Sequence, residues 1–466
     1  MTDESTSTRR VAVIGAGAAG LCAAKHLLSR RMDVTIYEIG SRVGGLWAYE
    51  NDNGLSPAYL SLHLNSEVRV TEYNDFPFPE GSPFYVNHFE VQRYLERYAD
   101  HFGLRPHIRF NAKVEHLLQV GDGAAPSWSV RLASGETEEF DAVVVATGHQ
   151  SIPSHPAWRD DFAGEYLHSH VYRIPEPFRG KRVLVVGMGN SAVDIAADIC
   201  VLTATTHISA RSPVLVMPRM MFGVPTSRVL AKVEKPWMPW PLRRRIREFL
   251  TLIVHGRMEQ WGFVTPKTRT HPTSHPALIS HCMWDRIKVR PGITEVSGSE
   301  FTFTDGTRER YDIVIAATGY EIDLPFLATQ QIPMRGEHLD LFHRVIAPNL
   351  QGLFFVGFFN VAGGGNIRMM DNQAEWVAEI VGGEVALPSE PEMRAAIEEE
   401  HQFLKRRYPG SPRYALELEP RVYLGHLAKE RTLGRKRRTG PMHGGEKRLS
   451  PDQRDSERGK EGATRQ

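Results

Sequence analysis

Two stretches of the chain repeat one plan. VAVIGAGAAGLCAA at residues 11–24 and VLVVGMGNSAVDIA at residues 183–196 each run from an apolar strand through a glycine-rich turn into a helix. Few local patterns constrain a fold more. A strand of this kind is buried on both faces and needs parallel neighbours, and its turn aims the amides of a helix N-terminus at an anion that only glycine lets approach closely. Two copies in 466 residues, enough chain for two or three full cores, predict an α/β protein with two Rossmann-like dinucleotide-binding domains.

The copies differ where they should choose their nucleotides. In the first, Gly15, Gly17 and Gly20 bracket Ala18 and Ala19, and a second strand (Val34, Thr35, Ile36, Tyr37) ends at Glu38. An acid about 20 residues past the turn is placed to hold a ribose hydroxyl pair. The second has Gly187 and Gly189, with Ala192 in place of a third glycine, and Asn190 and Ser191 open its helix. Its next strand ends without an acid, at Ser209 and Arg211. An arginine there suits a 2′-phosphate that a carboxylate would repel, the competing reading being a solvated surface arginine. The pairing suggests a flavoprotein that binds FAD at the first turn and draws hydride from NADPH at the second.

The rest of the chain narrows the class. A formal charge of +1 argues against a general nucleic-acid or acidic-membrane binder. The opening MTDESTSTRR lacks an apolar signal region, and no run of 18 apolar residues exists, so a cytoplasmic protein is expected. The most membrane-like stretch, residues 237–256, reads as a surface helix started by Pro241 with Ile246, Phe249, Leu250 and Ile253 on one face. Cys22, Cys200 and Cys282 are scattered, without the close pair a disulfide reductase needs. His271, His275 and His281 lie in a Pro/Ser/Thr-rich loop without carboxylate support, so zinc is not expected.

The expected order along the chain is a nucleotide fold over residues 1–160, a second over 161–328, a return to the first over 329–430, and a disordered basic tail over 431–466. Buried strands in the segments 142–156, 313–325 and 352–360, a turn at Ala133-Ser134-Gly135-Glu136 and a hairpin signal at Thr304-Asp305-Gly306-Thr307 support it. The tail carries 11 Lys/Arg against 5 Asp/Glu, a net +6.

Between the folds, FAGEYLHSHVYR at 162–173 matches F-x-G-x-x-x-H-x-x-x-[Y/F]-[K/R] at Phe162, Gly164, His168, Tyr172 and Arg173. Here the chain resembles the flavin-containing monooxygenases, from about residue 10 to about 430. Gly44-Gly45-Leu46-Trp47 is similar to the family's GGLW beside the FAD, and Leu64-Asn65-Ser66 precedes DFPFP at 75–79 as in that family. Gln373-Ala374-Glu375-Trp376 resembles its Q-A-R-W run, with Glu375 in place of the usual Arg. The resemblance implies FAD and NADPH as cofactors, O2 as co-substrate and an oxygen adduct at flavin C4a kept dry by the protein. It points to Asn65 as the catalytic side chain, to Gly45, Leu46, Trp47, Leu64, Ser66 and Gln373 as flavin neighbours, and to a structural role for His168. The expected reaction is oxygen transfer to an amine nitrogen or a sulfide sulfur. Baeyer–Villiger oxidation of a ketone and an uncoupled NADPH oxidase remain as alternatives. No nucleic-acid or membrane partner is expected, and the oligomeric state is open, a homodimer included.

Overall fold

A computed structural model of the chain describes residues 8–121, 127–235, 237–270, 273–328, 334–335, 338–361, 364–409 and 416–439. The elements that position the site are β1 (Arg10–Ile14), α1 (Ala18–Leu28), β2 (Asp33–Tyr37), α2 (His88–His101), β3 (Ile108–Arg109) and β4 (Ala142–Val145). There follow β5 (Glu165–His168), β6 (Arg182–Val186), α3 (Asn190–Ile199), β7 (Thr205–Ser209), α4 (Trp240–His255), β8 (Ile287–Arg290) and β9 (Ile313–Ala316). The chain ends in β10 (Leu353–Phe355), α5 (Asn366–Val381), α6 (Glu390–Arg407) and α7 (Pro420–Thr439).

Two five-stranded parallel sheets result, with orders β10-β4-β1-β2-β3 and β5-β9-β6-β7-β8. Four strands of each sheet correspond in order, so the repeat seen in the sequence is a repeat of topology there; the fifth comes last along the chain in the first fold (β10) and first in the second (β5). In each sheet the strand before the turn is central, since its all-apolar run can be buried on both faces. Each fold also carries a three-stranded antiparallel meander, at 114–140 and 293–310, whose turns hold Gly135 and Gly306 at φ +89° and +81°. β5, from the linking signature, is the edge strand of the second sheet, and β10 returns to the first. The crossings lie side by side: Ile152–Pro153 pairs with Tyr320–Glu321. The segment where the first fold was expected to resume begins outside the described residues.

The larger core lies between the first sheet and helices α1, α2 and α5, around Leu21, Tyr94, Tyr98 and Trp376. The opposite face packs on the meander through Trp128, Val130 and Phe140.

One expectation is corrected. The basic segment from Arg431 is not disordered at its start, because α7 runs to Thr439. Arg431 and Arg435 both donate to buried Glu379, and Arg431 also pairs with Glu375. Two of the arginines counted in the tail are thus paired with carboxylates of α5, and Arg437 donates to Glu430 of α7 itself. Residues 440–466 lie outside the described residues. The helix at 240–255 forms as the surface helix expected; on its apolar face Ile246 and Leu250 are half-buried, while Phe249 is 61% and Ile253 54% exposed. Thr251 is the buried position, and Arg247 faces inward to Glu234.

Burial pushes the imidazoles of His168 and His207 down to about 4 and that of His275 to about 3. Each stays neutral in the fold at a pH where an unfolded histidine takes up a proton. The unfolded chain therefore binds more protons once pH falls below about 6.5, and stability decreases with falling pH. The thermal midpoint should drop between about pH 7.5 and about pH 5. His207→Asn, which removes one titrating group, should flatten that slope even where it lowers the midpoint itself; an unchanged slope would remove His207 from the account.

Candidate functional site

The two turns are built alike. Gly15 N donates to Tyr37 O at 2.8 Å and Gly187 N to Ser209 O at 3.1 Å, so each turn is tied to the strand on one side. On the other side the closing strand presses in. A Cβ on Gly15 (φ +106°) would lie 2.7 Å from Ala146 O, and one on Gly187 (φ +128°) 2.5 Å from Ala317 O. These first glycines are required by both conformation and space. Gly20 is required by space, since its Cβ would overlap the Gly15 carbonyl as α1 packs on β1.

The middle glycines differ in kind. Gly17 and Gly189 are the N-caps of α1 and α3, with φ −82° and −71°, which any residue can adopt, and neither helix has a side-chain cap. A Cβ on Gly189 would meet nothing within 4 Å, and one on Gly17 would meet only Gly45, at 3.5 Å. Nothing inside the chain excludes a side chain at Gly189. The space ahead of each helix N-terminus is what glycine keeps open, and it suits a pyrophosphate. The donor set and shape therefore fit a dinucleotide at each turn.

Around the first turn, Glu38 is buried and accepts from Ala16 N at 2.7 Å and Gly40 N at 2.8 Å. Those bonds fix the carboxylate at the end of β2 and leave lone pairs for ribose hydroxyls. Gly45 faces Gly17, and the next residue, Leu46, is 38% exposed although apolar. Trp47 packs on the first core. Ala18 O accepts from Tyr73. Ala19 lies against Gly357, whose N–H donates to Gln373 at 3.0 Å. Gln373 is fully buried and its other amide end donates to Tyr423. The structure thus makes Gln373 a brace behind the turn, with its amide spent inside the protein.

At the second turn, Asn190 Oδ1 accepts from Ser274 N at 3.4 Å, and half-buried Ser191 follows it in the first turn of α3. Ser209 is buried and donates to Pro291 O at 2.8 Å, so its hydroxyl holds the β7 loop. Arg211 is exposed just beyond β7, its stem beside Gly292.

Helix α3 carries Asp194 and Asp198 one turn apart, and they gather the segment bearing Asn65. Tyr59 donates to Asp194 at 2.9 Å, while Ser61 (2.8 Å) and Tyr172 (2.5 Å) donate to Asp198. Arg173 donates to Ser56 O at 3.1 Å, so the signature 162–173 ties the two folds together. His168 is buried, accepts from His170 N and is neutral, in a structural setting. Leu64 is buried in the first core, and half-buried Ser66 bonds Thr71.

Asn65 itself is exposed, and its Oδ1 accepts from Arg219 at 2.7 Å. That bond directs the amide NH2 away from Arg219 as a fixed donor. Arg219 is buried and lies 3.5 Å from Asp194, and Tyr85 donates to its carbonyl. Burial raises the Asp194 carboxyl to about 6 against the lowering influence of Arg219 and Tyr59. His275 approaches the same carboxylate at 3.6 Å; His281 packs on Trp284, and His271 lies outside the described residues. Sequence reasoning missed Arg219. Its one signal is a lone charge in the apolar run VLVMPRMMFGVP, residues 214–225.

Cys200 and Cys282, distant in sequence, sit on packed helices, and burial pushes their thiols up to about 11 and about 12. Neither is a ready thiolate.

The family model "FMO-like: Flavin-binding monooxygenase-like" matches residues 8–435. The chain is 30% identical over 429 residues to flavin-containing monooxygenase 5 of Oryctolagus cuniculus, covering 88% of this chain and 80% of that protein. It is 31% identical over 406 residues to flavin-containing monooxygenase 1 of Homo sapiens, covering 82% and 75%. Its fold is similar to the structure of S-allyl-L-cysteine S-oxygenase from Allium sativum, with TM-score 0.68, 26% identity, and 91% of this chain and 89% of that one covered. An epsilon-caprolactone-bound cyclohexanone monooxygenase has the same fold, with TM-score 0.67, 18% identity, and coverage of 92% and 97%.

The two kinds of glycine can be separated by experiment. Gly189→Val should weaken NADP⁺ binding by at least about tenfold through lost approach of the phosphates, while leaving the thermal midpoint of the nucleotide-free protein nearly unchanged. Gly187→Val should instead fail to fold normally. Equal loss of stability in both would show that Gly189 is needed for packing.

Proposed function

The chain belongs to the flavin-binding monooxygenase-like family, and from that premise we propose that it transfers one oxygen atom from O2 to a soft nucleophile, an amine nitrogen or a sulfide sulfur, with NADPH as reductant. FAD supplies the oxygen activation once NADPH has reduced it. The residues of the chain bind, orient and exclude water.

The first turn and α1 hold the FAD pyrophosphate, Glu38 the adenosine ribose, and Gly45, Leu46 and Trp47 form an apolar wall beside it. The turn at Gly187–Gly189 holds NADPH, and Arg211 meets its 2′-phosphate. Asn65 is the catalytic side chain. The observation that carries the reading is its exposed amide, fixed by a buried arginine where the two folds join. An amide donates without titrating, so the site keeps one hydrogen-bonding state across the working pH range.

Oxygen transfer to ketones is the second reading, and Arg219 favours it. Attack on a carbonyl needs an anionic oxygen nucleophile, which a permanent guanidinium beside Asn65 stabilises. Asp194, 3.5 Å away, offsets that charge when ionised and so tips the balance toward the heteroatom reaction.

Product analysis on matched sulfides, tertiary amines and cyclic or aryl ketones tests this directly. Sulfoxide or N-oxide should form faster than ester, and dominant ester would hand the assignment to the second reading. NADPH consumption without any oxygenated product would make the protein an oxidase.

Arg211→Ala should raise the KM for NADPH about tenfold to a hundredfold, as expected for a lost charge-assisted phosphate contact, and leave NADH nearly untouched. Equal changes for both coenzymes would place Arg211 away from the phosphate.

Asn65→Ala should still let NADPH reduce the flavin, while more hydrogen peroxide and less oxygenated product are released. Fully coupled turnover would reduce Asn65 to a turn residue.

A further inference from the structure

A solvent-open cavity lies where the N-terminal ends of α4 and α7 meet the C-terminal end of α6. Its volume is about 440 Å³, and it is lined by Met238, Pro239, Trp240 and Val422 on its apolar side and by Arg243, Arg269, Arg407, Arg421 and Glu419 on its polar side. Four guanidinium groups against one carboxylate leave a formal +3 on the wall.

The single carboxylate is already committed. Glu419 accepts from Arg269 at 2.9 Å and from Arg407, and Arg243 lies 3.6 Å away. Burial would raise its carboxyl, but the hydrogen bonds and charges of Arg269 and Arg407 hold it below the usual carboxylate range. Arg269 is the most enclosed of these arginines, with 10% of its side chain exposed, and it lies flat over Trp240, 4.2 Å from the ring centre. Burial pushes its guanidinium below its ordinary value, and Arg407 adds to the effect. Like charges held together in partly dry surroundings are costly unless an anion joins them. The cavity's position adds to that demand. α4 and α7 both direct their positive ends toward it, and neither carries an acidic residue in its first turn.

We propose that this cavity is a binding site for a small organic polyanion carrying carboxylate or phosphate groups, separate from both nucleotide sites. The planar forks of Arg269 and Arg407 suit bidentate contact with such groups. Trp240, Met238 and Val422 provide a face for the ligand's carbon frame. Bound there, the anion would clamp α4, which belongs to the segment between β7 and β8, to α6 and α7 beside the first sheet. The site would thus couple ligand binding to the placement of a helix from the second fold, independently of which substrate the enzyme oxygenates.

Calorimetric titration tests the proposal on the FAD-loaded enzyme saturated with NADP⁺, so that the second nucleotide site is already filled. Pyrophosphate and citrate are titrated separately. Saturable binding of at least one is expected, weakening as salt is raised; pyrophosphate assigns a phosphate ligand and citrate a carboxylate ligand. Arg421 is exposed, so Arg421→Gln should fold normally and weaken binding about tenfold or more. Arg269→Lys keeps the charge but removes the fork and should also weaken it. The flavin spectrum and the anion-free thermal midpoint of Arg421→Gln should match the unaltered enzyme. No saturable binding of either anion, or binding unchanged in both variants, would overturn the proposal.

Discussion

Helix α3 is the member on which the functional arrangement rests. Its N-terminal end faces the space kept open by Gly189, and one turn further along Asp194 and Asp198 hold Tyr59, Ser61, Tyr172 and, at longer range, Arg219. On the function proposed, the helix that would receive NADPH therefore also places the segment 59–66, which carries Asn65. A shift of α3 would be passed to Asn65 through rigid hydrogen bonds. The signature at 162–173 acts in the same plan, with Tyr172 on Asp198 and Arg173 on Ser56.

Burying that network has a cost. Asp194 and Arg219 are both largely withdrawn from water, and Asp194 responds with a carboxyl raised to about 6. A buried ion pair adds little net stability, and removing one partner is expensive because the other is left unpaired. Its value here is geometric. Arg219 fixes the Asn65 amide, and Asp194 restrains Arg219, so one functional side chain is oriented by two charged residues that need not touch any substrate.

The legible part of this molecule was the part dictated by backbone geometry. Gly15 and Gly187 announced their turns because a side chain there would strike Ala146 or Ala317, and such constraints stamp themselves on a short stretch of sequence. The buried strands followed from their apolar runs. What escaped was set by partners distant in the chain. Arg219 reaches Asn65 across 154 residues. The start of the basic tail is ordered because Glu379 and Glu375 lie on α5, which no local count of charge reveals. Glu375 is itself the position at which the Q-A-R-W resemblance breaks, and Arg431 is the residue that answers it. The exposure of Phe249 and Ile253 on α4 was not legible for a related reason. Periodicity predicts a helix and its apolar side, but which side is buried depends on what stands opposite. Here that is Glu234 for Arg247 and Met217 for Thr251.

On the function proposed, one chain carries the same device twice for two nucleotides that must not exchange places. The folds are alike in the order of their central strands, in the glycine that meets the closing strand and in the meander, so those features cannot discriminate. The difference in charge lies at the end of the strand beside the turn. At β2 a carboxylate is locked in place by Ala16 and Gly40, and a 2′-phosphate there would meet a fixed negative charge. At β7 the hydroxyl of Ser209 is turned to Pro291, no carboxylate ends the strand, and Arg211 is left exposed beyond it. On the function proposed, a 2′-phosphate would be tolerated at the end of β7 and repelled at the end of β2. The proposed selectivity between the two turns then rests on these strand-end residues, while the first glycine and the helix N-terminus serve both alike.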